Sequence, residues 1–226
     1  MDSTKQQLRK RWDDVEHHSP NNTMTNDKLQ MTTTPFNVII IAGPNGAGKS
    51  TTAPDLLQKT LQVVEYVNAD TIAAGLSAFQ PEKAALQAGR IMLNRLRQLA
   101  EERANFAFET TLASRTFAPW IADLRQQGYR FHLVFLWLPS PDFARRRVST
   151  RVRQGGHDIP EATIHRRYHR GLSNFFQLYR PLADVWHFYD NSNPAGARII
   201  ASGIRDIQET IHDAETWERI TGEFNR

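Results

Sequence analysis

From Asn37 onward the chain alternates short apolar runs with longer stretches in which apolar residues recur every three or four positions. Runs of four to eight apolar residues read as strands, and a 3.6-residue period reads as amphipathic helix. The strand-like runs are Asn37–Ala42, Val63–Val67, Asn105–Glu109, Phe131–Leu138 and Val185–Tyr189. Between them lie helical patterns over Lys49–Leu61, Pro81–Arg103, Phe117–Gln127, Asp142–Gln154 and Pro160–Tyr179, the second with Leu86, Leu93, Leu96 and Ala100 on one face. Arg198–Ser202 reads as a last edge strand, and Ile204, Ile207 and Ile211 as one face of a C-terminal helix. Strands alternating with helices predict an α/β fold built on a mainly parallel sheet.

Residues 1–35 break this pattern. They are poor in apolar side chains, their charges cancel, and Ser19-Pro20-Asn21-Asn22-Thr23 is loop chemistry. The segment reads as a disordered tail with at most a short amphipathic turn around Leu8, Trp12 and Val15; with Met31 just before the core, a start-site extension is the alternative. Residues 36–226 then form one domain of ordinary size. Composition is that of a soluble globular protein, 40% hydrophobic and 23% charged, with mean hydropathy −0.54. No apolar run reaches the length of a membrane span, none near the N-terminus suits a secretory signal, and the absence of cysteine excludes disulfides and thiolate metal sites. A cytoplasmic protein is the expectation.

The loop between the first strand and first helix carries the chemistry. Gly43-Pro44-Asn45-Gly46-Ala47-Gly48-Lys49-Ser50-Thr51 fits G-x-x-x-x-G-K-[ST], the phosphate-binding P-loop, in the strand–loop–helix context that this pattern requires. Glycines let backbone N–H groups wrap phosphate oxygens, and the helix N-terminus aims its positive dipole end at the same anion. Lys49 supplies a point charge to the terminal phosphates, and Ser50 a hydroxyl to Mg²⁺. The expected ligand is therefore a nucleoside triphosphate, with ATP and Mg²⁺ the co-substrate and cofactor.

Open α/β sheets bind ligands at the carboxyl ends of their strands. Asp70 follows the second strand and Glu109 ends the third, so both are expected beside the P-loop. A carboxylate there can accept a proton from an attacking hydroxyl or hold Mg²⁺. Asp70 could instead cap a helix, and Glu109 could instead pair with an arginine. No strand ends in aliphatics plus Asp, the metal-holding arrangement usual in ATPases and GTPases, and Asp142 reads as a helix cap. This favours the small-molecule kinase branch of P-loop proteins.

Net charge is +4, but Arg145–Arg170 holds eight arginines against Asp158 and Glu161, so the basicity is local. Arg166 and Arg170 fall almost opposite the stripe formed by Ile164, Tyr168, Leu172 and Phe175, where they can close over a triphosphate as part of a lid; the alternative is a solvated face. Gly155-Gly156 suits a hinge for that lid. Asn191, after the fifth strand, either wraps the adenine or makes a simple turn. His157, His165 and His169 read as surface or lid residues.

These motifs together, with Asn68-Ala69-Asp70, Phe108-Glu109-Thr110-Thr111 and Gly155-Gly156-His157-Asp158-Ile159-Pro160, resemble the zeta toxin family, in its short bacterial members, over about residues 36–205. Zeta toxins are P-loop kinases that phosphorylate the 3′-hydroxyl of the amino sugar in UDP-N-acetylglucosamine. The resemblance implies a P-loop kinase-like three-layer sandwich with a helical lid over about residues 145–170. It implies ATP phosphates on Lys49, Mg²⁺ on Ser50, and Asp70 as general base. Glu109 would help to hold a sugar nucleotide, beside Thr110, with Arg115 meeting its diphosphate. Arg147 or Arg151 would supply the first lid arginine; the second position falls near His157, so Arg166 or Arg170 must substitute. An antitoxin protein is the implied partner.

The sequence thus predicts an ATP-dependent small-molecule kinase with a UDP-amino-sugar as leading acceptor. The rival readings are a P-loop kinase acting on RNA, DNA or another nucleotide, and an ATP-gated interaction module without catalysis. Tyr168 is the one aromatic residue within Arg145–Arg170 suited to base stacking, which disfavours nucleic acid.

Overall fold

The computed structural model describes residues 35–59, 63–78, 80–156 and 158–225. The expected N-terminal tail, including Leu8, Trp12, Val15 and Met31, lies outside the described residues, as does His157.

The Val38–Ala42 run is buried on both faces, as expected for a strand covered by helices on each side. It belongs to β1 (Phe36–Ala42), which lies between β3 (Phe106–Thr110) and β4 (Tyr129–Trp137), parallel to both. β2 (Glu65–Val67) pairs parallel with β3, and β5 (Val185–Asp190) parallel with β4. β6 (Arg198–Ile204) and β7 (Gln208–Ile211) extend this edge antiparallel, giving one seven-stranded sheet in the order β2-β3-β1-β4-β5-β6-β7.

Among the described residues, seven α-helices connect and cover the strands: α1 (Lys49–Lys59), α2 (Ala69–Leu76), α3 (Pro81–Glu101), α4 (Phe117–Gln126), α5 (Pro141–Arg153), α6 (Glu161–Asn174) and α7 (Ala214–Phe224). The chain leaves β1 toward β2, then crosses back over β1 between β3 and β4. Right-handed crossovers in opposite directions put helices on both faces and the ligand crevice at the carboxyl end of β1. This is the fold of P-loop kinases. On one face, Phe117 and Trp120 of α4 pack on Phe106 and Phe108. Further along, Phe175, Phe176 and Trp217 cover Phe135, Trp186 and Phe188.

Several expectations need correction. Ile204, Ile207 and Ile211 do not share a helix face: the first ends β6, the last ends β7, and Ile207 lies in the hairpin between them, where it is 72% exposed. Their spacing imitates a helical period, but the chain turns with Asp206 at φ 58° and the Ile207 N–H bonded to the Ile204 carbonyl. β7, not Arg198–Ser202, is the sheet edge. On α3, Leu86 is 84% exposed, and the buried stripe is Ala84, Ala88, Met92, Leu96 and Leu99. Small residues lead this stripe because Ala73 of α2 packs against Ala84 and Ala88. The Pro160–Tyr179 pattern is α6 followed by a π-helical turn at Phe175–Tyr179 and a 3₁₀ turn at Arg180–Leu182. Asp142 does not cap α5; Ser140 does, accepting from the Phe143 N–H at 3.1 Å.

Candidate active site

The P-loop begins where β1 ends. Gly43 adopts φ 142°, and a Cβ there would lie 2.3 Å from the Leu136 carbonyl oxygen, so the turn admits glycine alone. Lys49 folds back over the loop, its Nζ donating to the Gly43 and Pro44 carbonyls at 3.0 Å each. Burial lowers its pKa, while Glu109 and Asp70 act in the opposite direction.

A cavity of about 430 Å³ opens over this loop, lined by Asn45, Gly46, Gly48, Lys49, Ser50 and Thr51, with Asp70 and Glu109 on its wall. Pro44 and Ala47 belong to the loop without lining the cavity. Asp70 is exposed and does not cap α2. Asn68 takes that role, its Oδ1 accepting from the Asp70 and Thr71 N–H groups at 2.8 and 3.4 Å. Glu109 is held by oxygen donors rather than by an arginine: Ser50 Oγ donates to its Oε2 at 3.0 Å, and the Tyr66 hydroxyl donates to its Oε1. Asn68 Nδ2 in turn donates to Ser50 Oγ at 3.3 Å. These oxygens are the hard, octahedrally permissive donors that suit Mg²⁺.

The helical segment supplies the opposite wall through Phe143, Arg146, Arg147, Thr150, Arg151 and Gln154 of α5 and its C-cap. Arg147 is fixed at the far end, donating to the Asn191 and Ser192 carbonyls at 2.7 and 2.9 Å with its guanidinium 5.1 Å from the Phe143 ring centroid. Asn191 braces the loop itself, its Nδ2 donating to the Ala47 carbonyl at 2.7 Å.

Arg166 and Arg170 do not reach this cavity. Arg166 is exposed and lines neither cavity, whereas Arg167 meets the P-loop, donating to Asn45 Oδ1 at 3.4 Å. Burial lowers the Arg167 pKa, and the Asp70 charge partly restores it. The face opposite a buried stripe points away from the body on which the helix packs. Arg167 sits at the edge of the stripe, one position before Tyr168, which is where an arginine on α6 can reach a ligand on the body. That edge position was the available signal in the sequence.

Arg170 instead lines a second cavity of about 630 Å³ with Ser114, Arg115, His169, Ser173, Asn174 and Gln177. Its wall is formed by the loop after β3, which α6 and the π turn tie down. Asn174 Nδ2 donates to the Leu112 carbonyl at 2.7 Å, and Tyr179 OH to the Ser114 carbonyl at 2.7 Å. The lining contains no carboxylate. Thr110 lines neither cavity; its hydroxyl accepts from the Leu112 N–H at 3.1 Å and shapes the turn. His165 lies in an ion cluster with Asp142, Glu161 and Arg145 that joins the first turns of α5 and α6.

Among the described residues, no helix is long and apolar enough to cross a membrane. Comparison with known proteins agrees with the fold. An uncharacterized protein of Haemophilus influenzae is 28% identical over 130 residues, which span 58% of this chain and 91% of that protein. A solved structure from the PezAT chromosomal toxin–antitoxin system of Streptococcus pneumoniae superposes with a TM-score of 0.59 at 15% identity, covering 96% of this chain and 87% of its own. The AvrRxo1-ORF1:-ORF2 complex with ATP gives 0.62 at 16% identity, covering 97% and 68%. The resemblance to zeta toxin-like P-loop kinases thus extends from motifs to fold. Residues 38–170, from β1 through the arginine-bearing helices, match the AAA domain family, to which this chain belongs.

Proposed function

We propose that this protein is an ATP- and Mg²⁺-dependent kinase that transfers the γ-phosphoryl group to a hydroxyl of a small, phosphate-bearing acceptor, with a UDP-amino-sugar as leading candidate. The observation that carries this reading is that Asp70 lines the same cavity as Lys49 and Ser50. A proton acceptor beside a triphosphate cradle is what phosphoryl transfer to a hydroxyl requires. In the proposed reaction Asp70 takes the acceptor hydroxyl proton as its oxygen forms the bond to the γ-phosphorus. The bond from that phosphorus to the β-bridging oxygen breaks in line, and ADP leaves. Lys49, Arg151 and Arg167 counter the charge on the transferring group. Ser50 would hold Mg²⁺, which when bound would supply charge neutralisation at the nucleotide's phosphates.

Arg147, stacked on Phe143 beside Asn191, suits the base of the nucleotide rather than a moving lid. Arg115 and Arg170, in a cavity whose lining lacks a carboxylate, suit the phosphates of the acceptor. The ATP complex of AvrRxo1-ORF1:-ORF2 and the toxin–antitoxin origin of the PezAT structure support ATP use and an antitoxin-like protein partner.

The deciding experiment incubates the protein with labelled ATP, first with UDP-N-acetylglucosamine and then with a bacterial metabolite extract, and identifies the labelled product by mass. One phosphorylated small molecule, absent with Lys49→Ala, is the expected result. Equal product with that variant, or ATP binding with no labelled acceptor in any fraction, rules the reading out.

A further inference from the structure

We propose that Tyr66 is a positioning residue for the metal. It fixes Glu109 against Ser50, so that Glu109 serves the Mg²⁺ of the bound nucleotide rather than the acceptor. The inference rests on the kinase reading only for the identity of the nucleotide.

Register supplies the first part of the argument. Tyr66 pairs with Ala107 across the parallel β2–β3 ladder, and Glu109 stands two residues further along on the same face of β3. A long aromatic side chain leaning along its strand spans that diagonal, and the Tyr66 hydroxyl meets Glu109 Oε1. The other carboxylate oxygen is occupied by Ser50 Oγ at 3.0 Å. Both oxygens of Glu109 are therefore held by this chain's own hydroxyls. That is the posture of a carboxylate that orients a metal ligand, not of one that waits for a sugar.

Topology supplies the second part. Glu109 is the penultimate residue of β3, the strand next to β1, opposite Ile41 and beside the P-loop. The short apolar run Phe106-Ala107-Phe108 delivers an acid to Ser50, the residue suited to ligate Mg²⁺. This is the place that a strand-terminal Asp would have filled, and the sequence offered no such Asp. Asn68 closes the arrangement by donating to Ser50 Oγ at 3.3 Å while capping the helix that carries Asp70. Metal side and proposed base are thus set by one hydrogen-bonded chain from Tyr66 to Asp70. Burial, and then the bond to Glu109, push the Tyr66 pKa up, so the hydroxyl remains a donor at neutral pH.

The test uses the whole chain, ATP and Mg²⁺, with no acceptor. ATP affinity is measured by calorimetry in Mg²⁺ and again in EDTA, for the wild type, Tyr66→Phe and Glu109→Gln. In both variants the enhancement of affinity by Mg²⁺ is expected to fall about 10–100-fold, the usual consequence of removing an outer-sphere partner. Affinity in EDTA should stay unchanged. Electron paramagnetic resonance of Mn²⁺ with ATP should lose its protein-bound signal in parallel. Equal weakening with and without Mg²⁺ would mean a merely structural tyrosine and overturn the proposal. So would variants that keep the wild-type metal dependence, or a wild-type chain that binds ATP equally in Mg²⁺ and EDTA. Failure to find a phosphorylated acceptor would sink the kinase reading but leave this measurement intact.

Discussion

Two arginines one position apart on α6 face different surroundings, and their contrast is the sharpest residue-level test of the site. Arg167 reaches Asn45 of the P-loop, whereas Arg166 is exposed. Arg167→Gln should lower single-turnover phosphoryl transfer by roughly 10³-fold, the scale of an arginine acting on a transferring phosphoryl group. Arg166→Gln should change the rate by less than about threefold, given the small effects of exposed charges. Similar rates for the two variants would return Arg167 to a surface role. Asp70→Asn should keep ATP affinity while slowing transfer about 10²–10⁴-fold, as expected for loss of a general base. A collapse of ATP binding instead would make Asp70 a nucleotide or metal residue. Lys49 and Ser50 were legible in the sequence because a strand–loop–helix motif sets their positions locally, and Asp70 because it follows a strand whose carboxyl end lies on the same side of a parallel sheet. Arg167 was only half legible: its place at the edge of the stripe could be read, but that this edge faces Asn45 depends on how α6 sits on the body, which a helical wheel does not give.

Among the helices, α6 makes a close backbone approach to the loop after β3. A Cβ on Gly171 would lie 2.3 Å from the Thr111 carbonyl oxygen, a contact that backbone cannot relieve by a rotamer change. This approach lets α6 lie against the loop after β3 and hold both cavities at once. Gly171→Ala should therefore destabilise the fold by about 1–3 kcal/mol through overpacking, despite the better helix propensity of alanine. Chemical denaturation measures this directly, and a variant as stable as the parent would show that the helix can shift at little cost. The π turn that follows carries Phe175 and Phe176 into the aromatic cluster on β4 and β5. An ordinary helical period over Pro160–Tyr179 hid that turn, since widening by one residue leaves the apolar pattern almost unchanged. The β6–β7 hairpin was hidden for a related reason. Three isoleucines at helical spacing satisfy the periodicity, but only the pairing of Ala201–Ile204 with Gln208–Ile211 makes them strand and turn.

At the scale of the molecule, a buried histidine on β4 and a half-buried aspartate bonded to β4 tie stability to pH. Burial, with Arg130 and His187 adding to it, lowers His132 from 6.5 to about 3. The folded chain therefore binds fewer protons than the unfolded chain between these values, and stability is lost as pH falls below 6.5, by about 1 kcal/mol per pH unit for one such group. Burial would raise the Asp184 pKa, but hydrogen bonds from Arg125 and the Phe131 N–H, and the nearby Arg205, outweigh it and leave it below 3.8. Its contribution is complete above that value and disappears as pH drops through the folded pKa. Melting temperature should thus decline from pH 6.5 downward and steepen below about 4. His132→Gln should flatten the first limb, and Asp184→Asn should cost about 2 kcal/mol at pH 7. A melting temperature constant from pH 7 to 4 would refute the His132 assignment. The mainly parallel α/β architecture, the P-loop and the acids near the strand ends could be read before folding, because each follows from local periodicity and from chain order across a sheet. Only the packing of the folded chain brings Arg167 to the P-loop, puts Arg170 with Arg115 in a separate cavity, and holds Glu109 between Tyr66 and Ser50. Those relations depend on the rotation of one helix and the register of two strands, and sequence spacing encodes neither.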